Sequence, residues 1–220
     1  MGTDGDAPPG TARGGGEPRR DQSREVARIT AFSDGVFAIA ITLLALPLAL
    51  PRGDGVEVWA ELQRLGPSFR SFCISFVVIG AYWIGHRGIF LLVERSDRRL
   101  LWLNLLLLFF IVLLPFTTSL VGEHGDQRIA VAVYALSVAG AGFAAVGLAV
   151  YALGGRRLSS SAVDEREVRL AVWRNLVTAL VFVASLALLP LGATVVEFSW
   201  LSVIVAWWLV RRRHARIRAA

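Results

Sequence analysis

The sequence contains no lysine and only one cysteine, Cys73. A single thiol cannot close a disulfide within the chain or build a cysteine zinc site. Set inside an apolar run, Cys73 reads as a small packing residue. Charge is also scarce. Of 220 residues, 18% are charged and 55% are hydrophobic, whereas a soluble domain averages about 25% charged. These proportions exclude a disordered chain, a collagen and a small disulfide scaffold, and they argue against a soluble enzyme. The 23 basic residues are all arginine, and the formal net charge is +6. The arginines sit at the ends of apolar runs, so their expected partner is a membrane surface and not nucleic acid.

What the chain does have is six long apolar segments, near 32–50, 70–93, 100–121, 129–153, 169–190 and 193–211. Each approaches the ~20 residues that an α-helix needs to cross a ~30 Å hydrocarbon core. In lipid every backbone polar group must be paired internally, which leaves helices or a closed barrel. The runs lack the alternation of barrel strands, so the expected fold is all-α and integral to the membrane, with six transmembrane helices. Residues 1–27, rich in Gly, Pro, Asp and Arg, read as a disordered tail. Residues 28–212 form the transmembrane domain and 213–220 a basic tail. Arg19-Arg20 does not make an export signal, because no small-residue cleavage site follows the first apolar run; that run is a retained span. The fifth and sixth segments meet at Pro190-Leu191-Gly192, a tight hairpin. In the 51–69 connection, Val56, Trp59 and Leu62 recur every three residues among Glu57, Glu61 and Arg64. This spacing suits a short interfacial helix, with a plain loop as the alternative.

Arginine placement sets the expected orientation. Nineteen arginines lie in the two tails and in the connections after the second and fourth spans, counting Arg87 and Arg174 near span ends; four, Arg52, Arg64, Arg70 and Arg128, lie on the other face. Both termini are therefore expected in the cytoplasm.

The first span carries an acid, Asp34, with apolar sequence behind it. An acid at the bilayer midplane costs roughly 2.5–3.5 kcal/mol on insertion scales and less near the interface, so Asp34 needs partners. One reading is a helix cap, with Ser33 or Asp34 at the positive end of the dipole. The other is a buried polar network that fixes helix packing. Candidate partners are present: Trp83 and His86 are three apart on one helical face, Tyr82 and His86 four apart, and Trp102 and Asn104 open the third span. A lone histidine in a membrane is more often a structural hydrogen-bonder than a ligand.

Other chemistry is missing from the sequence. Gly140-Ala-Gly142-Phe-Ala-Ala145 mimics a dinucleotide fingerprint but lies mid-span with no strand before it. Gly140, Ala144 and Gly147 read better as small residues for close helix contact. No paired carboxylates occur within a span, and His86, His124 and His214 lie at distant depths, so neither a catalytic dyad nor a metal site is expected. Glu197, at the end of the sixth segment, reads as solvated. Arg174-Asn175 reads as snorkelling to the interface. No Thr-Val-Gly-Tyr-Gly run exists to build a carbonyl-lined ion filter.

Arg28-x3-Phe32-Ser33-Asp34, followed by Gly35-Val-x-Ala-Ile-x-x-Thr-Leu-Leu, resembles the signature of the prokaryotic transmembrane protein 175 family of potassium-permeable channels. Trp83-x-x-His86, Asn104 and Leu114-Pro115-Phe116 extend the resemblance, which runs over about residues 28–215. It implies a six-helix subunit, assembly as a homotetramer, and a central pore lined by the first helices. Carried over from the Phe-Ser-Asp triplet, the apolar rings that narrow the pore are Ile39, Leu43 and Leu46. Thr42 falls at a position tied to cation preference in some members. The triplet itself, with Arg28, is implied to pack against Trp83, His86 and Asn104. Helical geometry is compatible: at ~100° per residue, Leu43 and Leu46 lie within ~40° of Ile39, while Asp34 is ~140° away. Apolar residues at this spacing are ordinarily packing residues, and only the resemblance makes them pore residues.

The expectation is thus a passive, potassium-favouring cation channel in the plasma membrane of a prokaryote. It needs no cofactor, and its partners are potassium and other monovalent cations, lipid and copies of itself. The alternative is a proton-coupled secondary transporter in which Asp34 and His86 titrate. A non-conducting membrane protein is a third reading.

Overall fold

The computed structural model describes residues 17–49, 57–154, 158–159, 165–200 and 202. Among these residues every named element is a helix. The one β feature among them is an isolated antiparallel bridge between Val93 and Ser159. The helices are α1 (Glu17–Leu43), α2 (Val58–Arg64), α3 (Gly66–Phe90), α4 (Arg98–His124), α5 (Arg128–Leu153), α6 (Glu165–Ser185) and α7 (Ala193–Ser199). Short 3-10 turns follow α1 at Leu46–Leu48 and α6 at Leu186–Leu191. Five helical stretches are long and apolar enough to cross a membrane: Asp21–Leu48, Gly66–Phe90, Arg98–His124, Arg128–Leu153 and Val168–Leu191. They overlap the first five expected spans, the first of them starting at Asp21 where 32 was expected. The sixth, 193–211, is described only through α7 and the residues beside it, and the rest lies outside the described residues, as do both tails beyond Glu17 and Ser202.

α1 begins at Glu17, well inside the segment expected as a disordered tail. The local chemistry accounts for this. Pro18 occupies the first turn, where its missing N–H is harmless, and from Arg19 to Ala27 the chain has no Gly or Pro and several good helix formers. Val26 and Ile29 are buried on the same face as Ser33, Phe37, Ala40 and Leu44. This stripe of three- and four-residue steps faces α3 and α4. Gln22 accepts a hydrogen bond from the Ser96 N–H at 3.2 Å, which ties the early part of α1 to the α3–α4 connection.

The connection itself is well anchored. Asp97 caps α4, accepting from the Leu100 N–H at 2.8 Å, and its other oxygen accepts from the Tyr151 hydroxyl of α5. Partial burial works to raise the Asp97 carboxyl, but the bonds from Tyr151, Leu100 and Arg99 outweigh it and hold the group below the ordinary carboxylate range. The Glu94 and Arg95 N–H groups both donate to the Leu158 carbonyl, at 2.7 and 3.1 Å.

α5 lies at the centre of the bundle: 61% of its apolar window is buried, against 28–39% in the other four spans. Small residues permit this. A Cβ on Gly140 would collide with the Phe110 ring of α4, and a Cβ on Gly142 would stand 2.7 Å from the Ala179 Cβ of α6 and 3.0 Å from the Tyr82 hydroxyl. The Tyr82 hydroxyl donates to the Val138 carbonyl at 2.9 Å, joining α3 to α5. Gly147, grouped with these by sequence, has only an ordinary contact to Leu103 at 3.8 Å. The hairpin after α6 turns at Gly192, whose φ of +125° is one that side-chain-bearing residues rarely adopt. The 51–69 connection does contain a helix, α2, with Trp59 and Leu62 exposed and an Arg64–Glu61 pair at 3.0 Å. Val56 lies outside the described residues.

Candidate functional site: the first helix and its anchors

α1 presents two faces of different chemistry. Its inner face is pinned by hydrogen bonds. The Ser33 hydroxyl donates to the Ile29 carbonyl at 2.9 Å and accepts from Asn104 Nδ2 of α4 at 2.9 Å. Asn104 Oδ1 lies 2.8 Å from His86 Nε2 of α3. Because the Asn104 amide nitrogen is committed to Ser33, its oxygen is the acceptor, and His86 must carry its proton on Nε2. His86 Nδ1 then faces no partner among the described residues. The imidazole is 1% exposed, stacked on Phe90 with ring centres 4.4 Å apart and tilted against Phe37 at 5.5 Å. One turn away, Trp83 Nε1 donates to Asp34 Oδ1 at 2.8 Å.

Three helices therefore meet through five side chains: Ser33 and Asp34 from α1, Trp83 and His86 from α3, Asn104 from α4. Asp34 lies some four turns into α1 and does not act as its N-cap. Two residues expected in the network stand apart from it. Arg28 and Phe32 lie on exposed positions of α1, because at these offsets they fall away from the stripe that carries Ser33 and Phe37. Asp34 and His86 are not hydrogen-bonded to one another; each has its own partner.

The other face of α1 is apolar and bare in the single chain. Ile39 is 61% exposed, Leu43 39% and Leu46 68%. Ile39 and Leu43 are on α1 itself, while Leu46 opens the 3-10 turn that ends it. Thr42 is also exposed, and its hydroxyl donates to its own helix at the Ile39 carbonyl, 2.8 Å away. The helix thus carries an apolar stripe with one hydroxyl beside it, on the side opposite the hydrogen-bonded anchors.

Two polar residues take positions that sequence reasoning misplaced. Glu197, expected in solvent, is 6% exposed and ion-paired to Arg70 of α3 at 2.7 Å. Arg174, expected to snorkel, instead lays its guanidinium against Gly85, and its Nε is buried with no hydrogen-bond partner among the described residues. The signal for Arg174 lay on the other helix: Gly85 leaves the gap that the guanidinium fills.

A family model, the endosomal/lysosomal potassium channel TMEM175, matches residues 28–115, which hold the five hydrogen-bonded anchors and Ile39, Thr42, Leu43 and Leu46. A potassium channel of Streptomyces collinus is 43% identical over 117 residues, covering 51% of this chain and 57% of that protein. A potassium channel of Chamaesiphon minutus is 43% identical over 120 residues, 52% of this chain and 59% of that protein. The matched stretch spans less than two thirds of these curated relatives. The fold match is longer. The crystal structure of a lysosomal potassium-selective channel TMEM175 homolog from Chamaesiphon minutus superposes with a TM-score of 0.72 at 31% identity, covering 84% of this chain and 97% of that one. The chain belongs to the family of the endosomal/lysosomal potassium channel TMEM175.

Proposed function

We propose that the protein is a potassium-permeable channel in which copies of α1 surround a central ion path. The observation that carries this reading is the two-faced first helix. Its inner face is fixed to α3 and α4 by directed hydrogen bonds, while the stripe of Ile39, Leu43 and Leu46 is left bare by its own chain. One α1 cannot enclose a pore, so the reading requires an oligomer, and a homotetramer fits the family. The arginine bias of the sequence supports cytoplasmic termini, and the apolar spans support a place in the plasma membrane of a prokaryote.

In such an assembly the three apolar side chains form a narrow, poorly wetted segment. Ions cross it partly dehydrated, and closure is by dewetting. Thr42 supplies a hydroxyl beside the constriction and is assigned to cation preference. The network of Ser33, Asp34, Trp83, His86 and Asn104 is assigned to holding the pore helix at a fixed angle and depth. Selectivity by this mechanism is modest, with potassium favoured over sodium. Separate partners for Asp34 and His86 weigh against a proton-coupled exchanger built on that pair.

The test is ion flux into liposomes holding the purified protein, with and without an imposed pH gradient. Potassium flux that runs down its own gradient, exceeds sodium flux and needs no pH gradient is the expected result. Flux that requires the pH gradient contradicts the channel reading.

A further inference from the structure

The channel reading leaves one buried acid unused. Glu197 sits in α7, and its Oε2 accepts from Arg70 Nη2 at 2.7 Å across 127 residues of sequence. Its other oxygen packs against the α4–α5 turn, where a Cβ on Gly125 would stand 3.0 Å from Oε1. A cavity of about 10 Å3 adjoins the carboxylate, lined also by Ser71, Val121, Tyr134 and Trp200. Beyond it lies a chain of hydroxyls: Tyr134 Oη is 3.0 Å from Ser75 Oγ, which accepts from Thr118 Oγ1 at 2.7 Å.

Among the described residues, the charged and titratable groups around Glu197 are few. Arg70 faces it from α3 and Tyr134 from α5. The 3-10 turn Leu186–Leu191 carries none, and Glu123, His124 and Asp126 at the α4–α5 turn are exposed to solvent. The Arg70 side chain is 51% exposed while that of Glu197 is 7% exposed. Arg70 is thus the open side of the pair in the single chain, and a protonated Glu197 frees Arg70 to turn outward. Arg70 and Trp83 share α3, about 20 Å apart at 1.5 Å per residue. The same helix that Glu197 holds at one end holds Asp34 of α1 further along.

Resting on the channel reading, we propose that Arg70 and Glu197 form a proton-sensitive latch. Ionised, the pair fixes the start of the last helix to α3; discharged, it lets α3 shift and changes conduction along α1.

The experiment measures potassium flux in liposomes buffered alike on both sides, at about pH 7.5 and about pH 5, a range chosen to titrate a carboxylate. Wild-type flux is expected to differ by about fivefold between the two, the low end of allosteric couplings. Glu197→Gln is expected to show the acid value at both. Arg70→Gln, which removes the ion pair and keeps the acid, is expected to do the same and serves where Glu197→Gln does not fold. A wild type that ignores pH, or a pH response that survives in either variant, overturns the latch. If no protein conducts, the channel reading fails by itself and the melting temperature in detergent decides the latch. A wild-type melting temperature that falls on acidification, beside an unchanged one in Glu197→Gln, supports it; parallel falls overturn it.

Discussion

Replacing Ile39 or Leu43 with asparagine is expected to raise potassium flux by about tenfold, since each ~1.4 kcal/mol taken from a barrier is a factor of ten in rate. The barrier in question is dewetting of an apolar ring, and an amide in that ring offers water a partner. Both side chains are exposed in the single chain, so an amide there strands no polar group in the subunit core. Folding yield is therefore expected to stay near wild type while flux rises. Flux measured in liposomes at equal protein density checks this. Unchanged flux in both variants contradicts the assignment of the constriction to this stripe.

The second large effect is expected at Asn104. It is the joint of the buried network, donating to Ser33 on one helix and accepting from His86 on another. Asn104→Ala removes both bonds and strands the His86 Nε2–H, whose other ring nitrogen already lacks a partner among the described residues. An unpaired buried polar group costs about 1–3 kcal/mol, and the space left by the amide adds to it. A loss of about 3 kcal/mol is expected, read as a lower melting temperature and a smaller yield of assembled protein. Arg28→Ala, on the exposed face of α1, is the control and is expected to leave the melting temperature unchanged. An Asn104→Ala protein as stable as wild type contradicts the anchoring role.

Much of this arrangement is legible in the sequence because it rests on short-range periodicity. Continuous apolar runs place the five spans, and an acid with no local partner inside one of them points to a network. Trp83 and His86 announce a shared face by their spacing alone. What the sequence hides depends on distance. The Arg70–Glu197 pair joins residues 127 apart, and nothing local to Glu197 distinguishes a buried acid from a solvated one at a span end. The start of α1 was obscured for a different reason. Its first turns are polar and resemble the Gly- and Pro-rich stretch before them, yet Val26 and Ile29 continue the buried stripe of the span. Arg28 and Phe32 belong to the family-like motif, but a shared motif does not mean a shared face, and only Ser33 and Asp34 of that motif make the contacts.

The central claim is that the bare face of α1 lines the ion path. Its most direct test is a single engineered thiol, Ile39→Cys, in a Cys73→Ser background so that no other cysteine reacts. A positively charged thiol reagent is added to conducting liposomes, with Trp102→Cys, exposed on α4, as the control. The reagent is expected to block potassium flux through Ile39→Cys and to leave the Trp102→Cys protein conducting. An Ile39→Cys protein that keeps its full flux in the reagent would place the ion path elsewhere.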